Sequence, residues 1–335
     1  MVKFDEILRD AKNKVFYPIY FLFGEEAFFI DEITNYLEQN ILDEASKGFN
    51  QTTVYGRDVV ARDIVDIARR FPMMGNYQVV IVKEAQLVKD IENLEVYLDN
   101  LLTSTILIIN FKYKKPDGRK KFFKRLSKSK DAIYFESKKL YDNQVPGWIS
   151  STVKLMGYGI SPVASAMLSE YIGNDLNNLA NEIGKLIINL KEGETINESH
   201  VEENIGISKD FNIFELQKAL TQRNALKAQR IIQHFEANPK EHPLQMLTVM
   251  LNNFFIKVFL VHKLKGATSK EMASELGLSP FFVNDYIQAA RVFPPQKIEV
   301  IISGIRDVDL KSRGIGIGGT KPYAPLKELI YKTLN

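Results

Sequence analysis

The chain has 335 residues, 45% of them hydrophobic, so it is long enough to fold as two or three domains with buried cores. Its formal net charge of +3 excludes a uniformly basic nucleic-acid coat but permits a local basic patch. The absence of cysteine excludes disulfides, thiolate catalysis and cysteine-ligated zinc. The N-terminal residues lack the apolar stretch of a signal peptide, and the apolar runs of the chain are short or interrupted. We therefore expect a cytoplasmic protein without a membrane partner.

Two periods alternate along residues 1–140. Short apolar runs without polar alternation predict strands that are buried on both faces, and segments with helical spacing lie between them. The predicted strands are residues 17–23, 51–55, 78–82, 105–111 and 132–135, and the predicted helices are residues 27–39, 59–70, 91–102 and 119–126. Strands bracketed in this way indicate a parallel sheet covered on two sides. The sequence therefore predicts an α/β domain over residues 1–140.

Strand patterns stop after residue 141. Residues 141–207 predict a small helical domain, and residues 208–335 continue with longer helices. The wide apolar stripe in residues 243–264 is typical of a helix that several neighbours cover. The predicted fold class is α/β plus all-α, with the small helical domain followed by a C-terminal helical bundle.

The first predicted strand leads into the place where a nucleotide-binding α/β domain carries its phosphate loop. Here the chain reads Gly24-Glu25-Glu26-Ala27, whose two carboxylates would repel phosphates, and no Gly-Lys-Ser/Thr follows. The strand at residues 78–82 ends without the Asp that would hold a metal ion. The four histidines are scattered along the chain. We predict no catalytic residues, no bound cofactor and no metal site.

A glycine-rich segment near the C-terminus matches the spacing of a dinucleotide-binding loop. Gly314, Gly316 and Gly319 fit the pattern G-x-G-x-x-G. A dinucleotide site needs a strand before this pattern and a βαβ unit around it, and neither is predicted here. We interpret residues 314–319 as a loop between two helices.

Residues 268–290 have the spacing of a helix–turn–helix motif. Its second helix would present Phe281, Phe282, Asp285 and Tyr286, whereas a helix that reads a major groove usually offers Arg, Lys, Asn or Gln to the bases. This composition favours packing inside the bundle. The alternative function is a helix–turn–helix DNA-binding regulator with an α/β sensor domain.

Residues 112–130 contain ten Lys or Arg residues and one acid, Asp117. In a chain of low net charge, this density predicts contact with a nucleic-acid phosphate backbone, which would be independent of sequence and sensitive to salt. The other interpretation is a solvated face that only aids solubility. The DNA-binding candidates in this run are Lys120, Lys121, Lys124, Arg125 and Lys128.

A short apolar segment, Phe71-Pro72-Met73-Met74-Gly75, lies between a predicted helix and a predicted strand. Pro72 and Gly75 predict a loop here. Methionine is flexible and polarizable, so two methionines at a loop tip suit an apolar pocket on a partner. They could equally pack into the core of their own domain, and the residues alone leave both interpretations open.

Taken together, these features resemble the delta subunits of the bacterial DNA polymerase III clamp loader over essentially the full length of the chain. The resemblance rests on the order and spacing of several segments. They are residues 20–26, 71–75 with 78–82, 173–176 with Glu182 and Leu186, 211–220 with Ala228 and Ile232, 268–290, and 309–311.

The resemblance implies an AAA+-like domain at residues 1–140 that lacks a P-loop, a lid domain at 141–207 and an oligomerising collar at 208–335. Such a subunit has no ATPase or polymerase chemistry of its own and works within the DNA polymerase III holoenzyme. The implied partners are the beta sliding clamp, the tau/gamma motor subunits, the delta-prime subunit and primed DNA. The implied function is to bind the clamp and hold its ring open during DNA replication.

The resemblance also implies site residues. Two adjacent apolar residues bind the clamp, and the matching positions are Met73 and Met74, with Phe71 and Pro72 beside them. An aromatic residue near the end of the collar contacts the primer-template junction, and Tyr323 is the matching candidate.

Overall fold

A computed structural model describes residues 2–73, 75–205, 211–278, 280, 282–315 and 322–335. The chain divides into two compact units, Met1–Leu140 and Tyr141–Asn335. A further boundary after residue 207, between the lid and the collar, stays a prediction.

Strands and helices alternate through the first unit. Its strands are β1 (Ile19–Gly24), β2 (Gln51–Tyr55), β3 (Gln78–Lys83), β4 (Thr105–Lys112) and β5 (Ala132–Ser137). Its helices are α1 (Phe4–Lys12), α2 (Ala27–Asn40), α3 (Glu44–Asn50), α4 (Ala61–Ala68), α5 (Glu95–Asp99) and α6 (Lys121–Leu126). Short 3₁₀ turns cover Ala85–Leu87 and Ile91–Leu94.

Two helices of this unit differ from the prediction. Helix α3 was not predicted from the sequence; it begins where the Asp43 carboxylate accepts a hydrogen bond from the Ser46 amide at 2.7 Å. The single helix predicted at 91–102 is a 3₁₀ turn followed by the short α5, which ends before Asn100.

All strands of the larger sheet are parallel, and they lie in the order β2-β3-β4-β1-β5. Alternate residues of β1 point to opposite faces, so Phe21 packs on the side covered by α4 and α6, while Leu22 packs on the side covered by α1 and α2. Burial on both faces explains why β1, β3 and β4 show no polar alternation, whereas the edge strands β2 and β5 are partly exposed. The predicted parallel α/β fold is confirmed.

The second unit is almost entirely helical. Its first helices are α7 (Val145–Leu155), α8 (Pro162–Ile172), α9 (Leu176–Ile188) and α10 (Glu198–Ile205). The short strands β6 (Gly159–Ile160) and β7 (Thr195–Ile196) pair in parallel beside them. The later helices are α11 (Ile213–Thr221), α12 (Ala225–Ala237), α13 (Leu244–Lys263), α14 (Ser269–Leu276), α15 (Val283–Val292), α16 (Pro295–Ser312) and α17 (Ala324–Leu334).

Helix α13 is the centre of the bundle core. Leu247, Leu251, Phe255 and Val258 are buried on it. Among the described helices, α13 alone is long and apolar enough to cross a membrane by length and composition, yet half of its apolar stretch is buried inside the unit. This burial is what the central helix of a bundle requires.

Helices α14 and α15 form the segment with helix–turn–helix spacing. Thr268 caps α14, and Gly277 ends it in the left-handed conformation with φ of 63°. Val283 and Tyr286 of α15 are buried in the bundle, and the Tyr286 ring packs on Phe254 with centroids 5.3 Å apart. The would-be reading helix thus uses one face for packing, as predicted; Phe281 lies outside the described residues.

Candidate functional site

The loop that joins α4 to β3 lies at the edge of the sheet where the parallel strands begin, because it leads into the start of β3. Two side chains fasten the end of α4. Gln78 Nε2 donates to the Ile67 carbonyl oxygen at 3.0 Å, and Thr105 Oγ1 donates to the Ala68 carbonyl oxygen at 2.9 Å. The last carbonyls of a helix lack a full set of partners within it, so these donors fix the point from which the loop starts.

Apolar side chains on this loop face outward. Phe71 is 74% exposed and Met73 is 61% exposed, whereas Pro72 is half-buried. Met74 lies outside the described residues. Of the two interpretations left open by the sequence, packing into the core of the first unit is excluded for Phe71 and Met73. Burial of exposed apolar side chains against a partner lowers the free energy of the complex.

One buried side chain that the sequence did not point to holds the loop in place. Asn50, at the end of α3, is 2% exposed. Its Oδ1 accepts a hydrogen bond from the Met73 amide at 2.6 Å, and its Nδ2 donates to the Met73 carbonyl oxygen at 2.7 Å. Both polar groups of the Met73 residue are therefore satisfied by one side chain.

The contact between Asn50 and Met73 explains why residue 75 is a glycine. A Cβ at this position would lie 3.1 Å from Asn50 Nδ2, closer than ordinary van der Waals contact. The glycine leaves the space that the Asn50 carboxamide occupies.

The basic run at residues 112–130 is largely paired with acids. Six of its ten cations form ion pairs: Lys112 with Asp31, Lys115 with Glu136, Arg119 with Asp117, Lys120 with Glu92, Lys121 with Glu95, and Arg125 with Glu95 and Asp99. Three of the five DNA-binding candidates in the run belong to this set. Their charges are partly balanced within the first unit itself.

Glu95, at the start of α5, pairs with two cations of the run. Its carboxylate lies 2.9 Å from Lys121 Nζ and 2.9 Å from Arg125 Nη1. Hydrogen bonds from Lys121 and then Arg125 hold the pKa of the Glu95 carboxyl below its usual range, and Arg119 lowers the pKa of Asp117 to about 2. These acids stay ionised beside the cations near neutral pH.

Four cations of the run remain for an external partner. Lys114, Lys124, Lys128 and Lys130 are exposed and form no ion pair with any residue that the structure describes. Lys124 lies on α6, and Lys128 lies just after its end. Of the candidates named from the sequence, Lys124 and Lys128 are thus the ones whose charge is available.

Tyr323 lies in the core of the second unit and not at its surface. It is 5% exposed, and its hydroxyl donates to the carbonyl oxygen of His242. Burial raises the pKa of the Tyr323 hydroxyl, which keeps it protonated as a donor. The ring belongs to the buried core of the second unit and is covered by it, and it is not exposed to an external partner.

The turn between β1 and α2 lies at the opposite, carboxyl edge of the sheet. The Glu26 side chain accepts a hydrogen bond from the Phe28 amide at 3.1 Å and caps α2. A phosphate loop uses this kind of helix N-terminus to bind phosphate. In this chain a carboxylate of the protein itself takes that position, which opposes the approach of another anion.

The glycine-rich pattern and the histidines form no site among the residues that the structure describes. Gly314 follows α16, while the other two glycines of the G-x-G-x-x-G match lie outside the described residues. Within the described part of the chain, no group of three His, Asp or Glu side chains is placed to hold a metal ion.

Comparison with known proteins gives consistent matches. Residues 20–138 match the family model described as DNA polymerase III, delta subunit, and residues 210–315 match the model of the C-terminal domain of that subunit. The DNA polymerase III subunit delta of Bacillus subtilis (strain 168) is 25% identical over 322 residues, which cover 92% of this chain and 91% of that protein. The solved structure of the Bacillus subtilis DNA clamp loader delta protein has a TM-score of 0.60 at 22% identity and covers 99% of both chains, which shows a shared fold.

Proposed function

The chain belongs to the family of DNA polymerase III delta subunits, and from this premise we propose that it binds the ring-shaped sliding clamp through residues 71–74. By binding there it holds one interface of the ring open. The assembled loader can then place the clamp on primed DNA during replication.

The observation that carries this proposal is the pair of exposed apolar side chains on a braced loop. Phe71 and Met73 project from a backbone that is fixed at the end of α4 and again at Asn50. Binding energy concentrates in a few anchors that fill pockets on a partner, and a backbone that is already ordered loses little entropy on binding. The loop has both properties. Co-elution of the chain with the sliding clamp of the same cell on a sizing column tests the proposal.

We propose that energy for loading comes from other subunits. The carboxylate of Glu26 at the start of α2 supports a chain that does not use ATP itself, because it stands where a phosphate would bind. The proposed partners are the tau/gamma motor subunits and delta-prime, joined through the collar. Polymerase chemistry, a nucleotidyltransferase reaction, belongs to the DNA polymerase III holoenzyme as a complex, and the proposed location is the replisome in the cytoplasm.

We propose that DNA contact uses Lys124 and Lys128 more than their neighbours. Phosphate contacts release counterions, so each one lost lowers the slope of log affinity against log salt by about one. Reversing both lysines, Lys124→Glu with Lys128→Glu, is expected to weaken binding of the assembled loader to primed DNA and to flatten this slope by about two. A salt titration of DNA binding measures it.

The matched control is Lys120→Glu with Lys121→Glu, which makes the same change in net charge. Those two lysines already pair with Glu92 and Glu95, so their reversal should affect stability more and the salt slope less. Equal flattening in the two double variants would contradict the preference for Lys124 and Lys128, and no change of the slope in either variant would show that the run is only a solvated face.

A further inference from the structure

We propose that Asn50 is a positioning residue that orders the clamp-binding loop before the clamp arrives. This inference rests on the proposed function of residues 71–74. The buried side chain of Asn50, which is far from the loop in sequence, holds Met73 in position for the clamp.

The position of Asn50 follows from the sheet. Asn50 ends α3 and directly precedes β2, which pairs with β3 in a register that places Gln51 beside Val79. The segments that lead into two neighbouring parallel strands meet at one edge of the sheet. Asn50 can therefore reach Met73 although 23 residues separate them.

The two hydrogen bonds between Asn50 and Met73 resemble those between two neighbouring strands. A carboxamide offers one acceptor and one donor, and here they meet the amide and the carbonyl of the same residue at 2.6 Å and 2.7 Å. The polar backbone groups of a loop normally turn to water. Because Asn50 replaces that water and is itself 2% exposed, the Met73 backbone is held against the rigid edge of the sheet.

Ordering of this kind shifts a cost from binding to folding. A mobile loop loses conformational entropy when it binds, and that loss subtracts from affinity. The brace makes the loss part of folding the first unit. The Met73 side chain itself stays 61% exposed, so the brace orders the backbone without covering the anchor.

The test compares Asn50→Ala with Asn110→Ala. Asn110 is also buried in the first unit, and its Oδ1 accepts a hydrogen bond from Thr34 Oγ1 at 2.9 Å, far from the loop in the chain. Both variants lose a buried amide and some stability. We expect Asn50→Ala to weaken clamp affinity by about tenfold and Asn110→Ala to change it by less than about twofold, measured below both melting temperatures.

Asn50→Asp keeps the size of the side chain and serves if Asn50→Ala does not fold. It retains an acceptor for the Met73 amide but sets a carboxylate oxygen against the Met73 carbonyl, so affinity should again fall. Gly75→Ala presses on the same carboxamide. It should lower affinity in the wild-type background and have little further effect in Asn50→Ala, because both changes act through one contact.

A measurement on the free chain separates this inference from the proposed function. Hydrogen exchange of the Met73 amide should be slow in the wild type and in Asn110→Ala, and faster by about tenfold or more in Asn50→Ala. If the wild type binds the clamp while Asn50→Ala binds as well as Asn110→Ala, Asn50 has no positioning role and the proposed function stands. If the wild type does not bind the clamp, both are overturned.

Discussion

Replacing Met73 and Met74 together with alanine is expected to lower the affinity of the chain for the sliding clamp by about a hundredfold or more. Truncation of a central anchor commonly costs about 2 kcal/mol or more, and each 1.4 kcal/mol is a factor of ten. The exposure of Met73 means that its side chain contributes little to the core. The melting temperature should therefore barely change. Titration of the clamp with both proteins measures the affinity, and a thermal melt measures the stability.

Leu155 and Met156 provide a matched control for this double variant. They are also adjacent and exposed, but they lie at the end of α7 in the second unit. Leu155→Ala with Met156→Ala removes a similar apolar pair and should leave clamp affinity nearly intact. A Met73/Met74 double variant that melts many degrees lower and still binds the clamp would instead identify these methionines as core residues.

Gly24→Ala is expected to destabilise the first unit by about 3 kcal/mol or more. Gly24 ends β1 with φ of 137°, a conformation that side chains rarely adopt. A Cβ there would lie 2.0 Å from the Ser137 carbonyl oxygen, which cannot move freely because Ser137 Oγ donates to the Glu26 carbonyl oxygen at 2.6 Å. Backbone strain and overpacking each cost about 1–3 kcal/mol, and here they act together.

Gly48→Ala is the control for Gly24→Ala. Gly48 lies within α3, and a Cβ there would meet no atom within 4 Å. An alanine in a helix is more stable than a glycine by about 0.5–1 kcal/mol, so this variant should be neutral or stabilising. Urea unfolding of the transition assigned to the first unit measures both. Equal midpoints for the two variants would contradict the close approach seen at Gly24.

The sheet could be predicted from the sequence because its physical cause is local. A strand buried on both faces must be apolar along its centre, and residues 79–82 and 106–109 meet this condition without reference to the rest of the chain. The loop that begins at residue 71 could be predicted for the same reason, since Pro72 restricts its own backbone, whereas the contact of Gly75 with Asn50 depends on a distant segment. The extent of the helix predicted at 91–102 was wrong, because a short helix depends on packing more than on propensity.

Contacts between distant segments could not be predicted in this way. The acids that pair with Lys120, Lys121 and Arg125 lie 26–30 residues earlier in the chain, so the run seemed less balanced than it is. Asn50 carries no signal in the sequence, because its role depends on two strands that start side by side. Tyr323 matched a position in the family, but only packing shows that its ring is buried.

We propose that residues 71–74 of this chain bind the sliding clamp. The most direct measurement is co-elution on a sizing column of the wild-type chain mixed with the clamp of the same cell, without nucleotide. We expect one common peak for the wild type and two separate peaks for the double variant of Met73→Ala and Met74→Ala. Separate peaks for the wild type at micromolar concentration, or a common peak with the clamp for both the wild type and the double variant, would rule out this binding site.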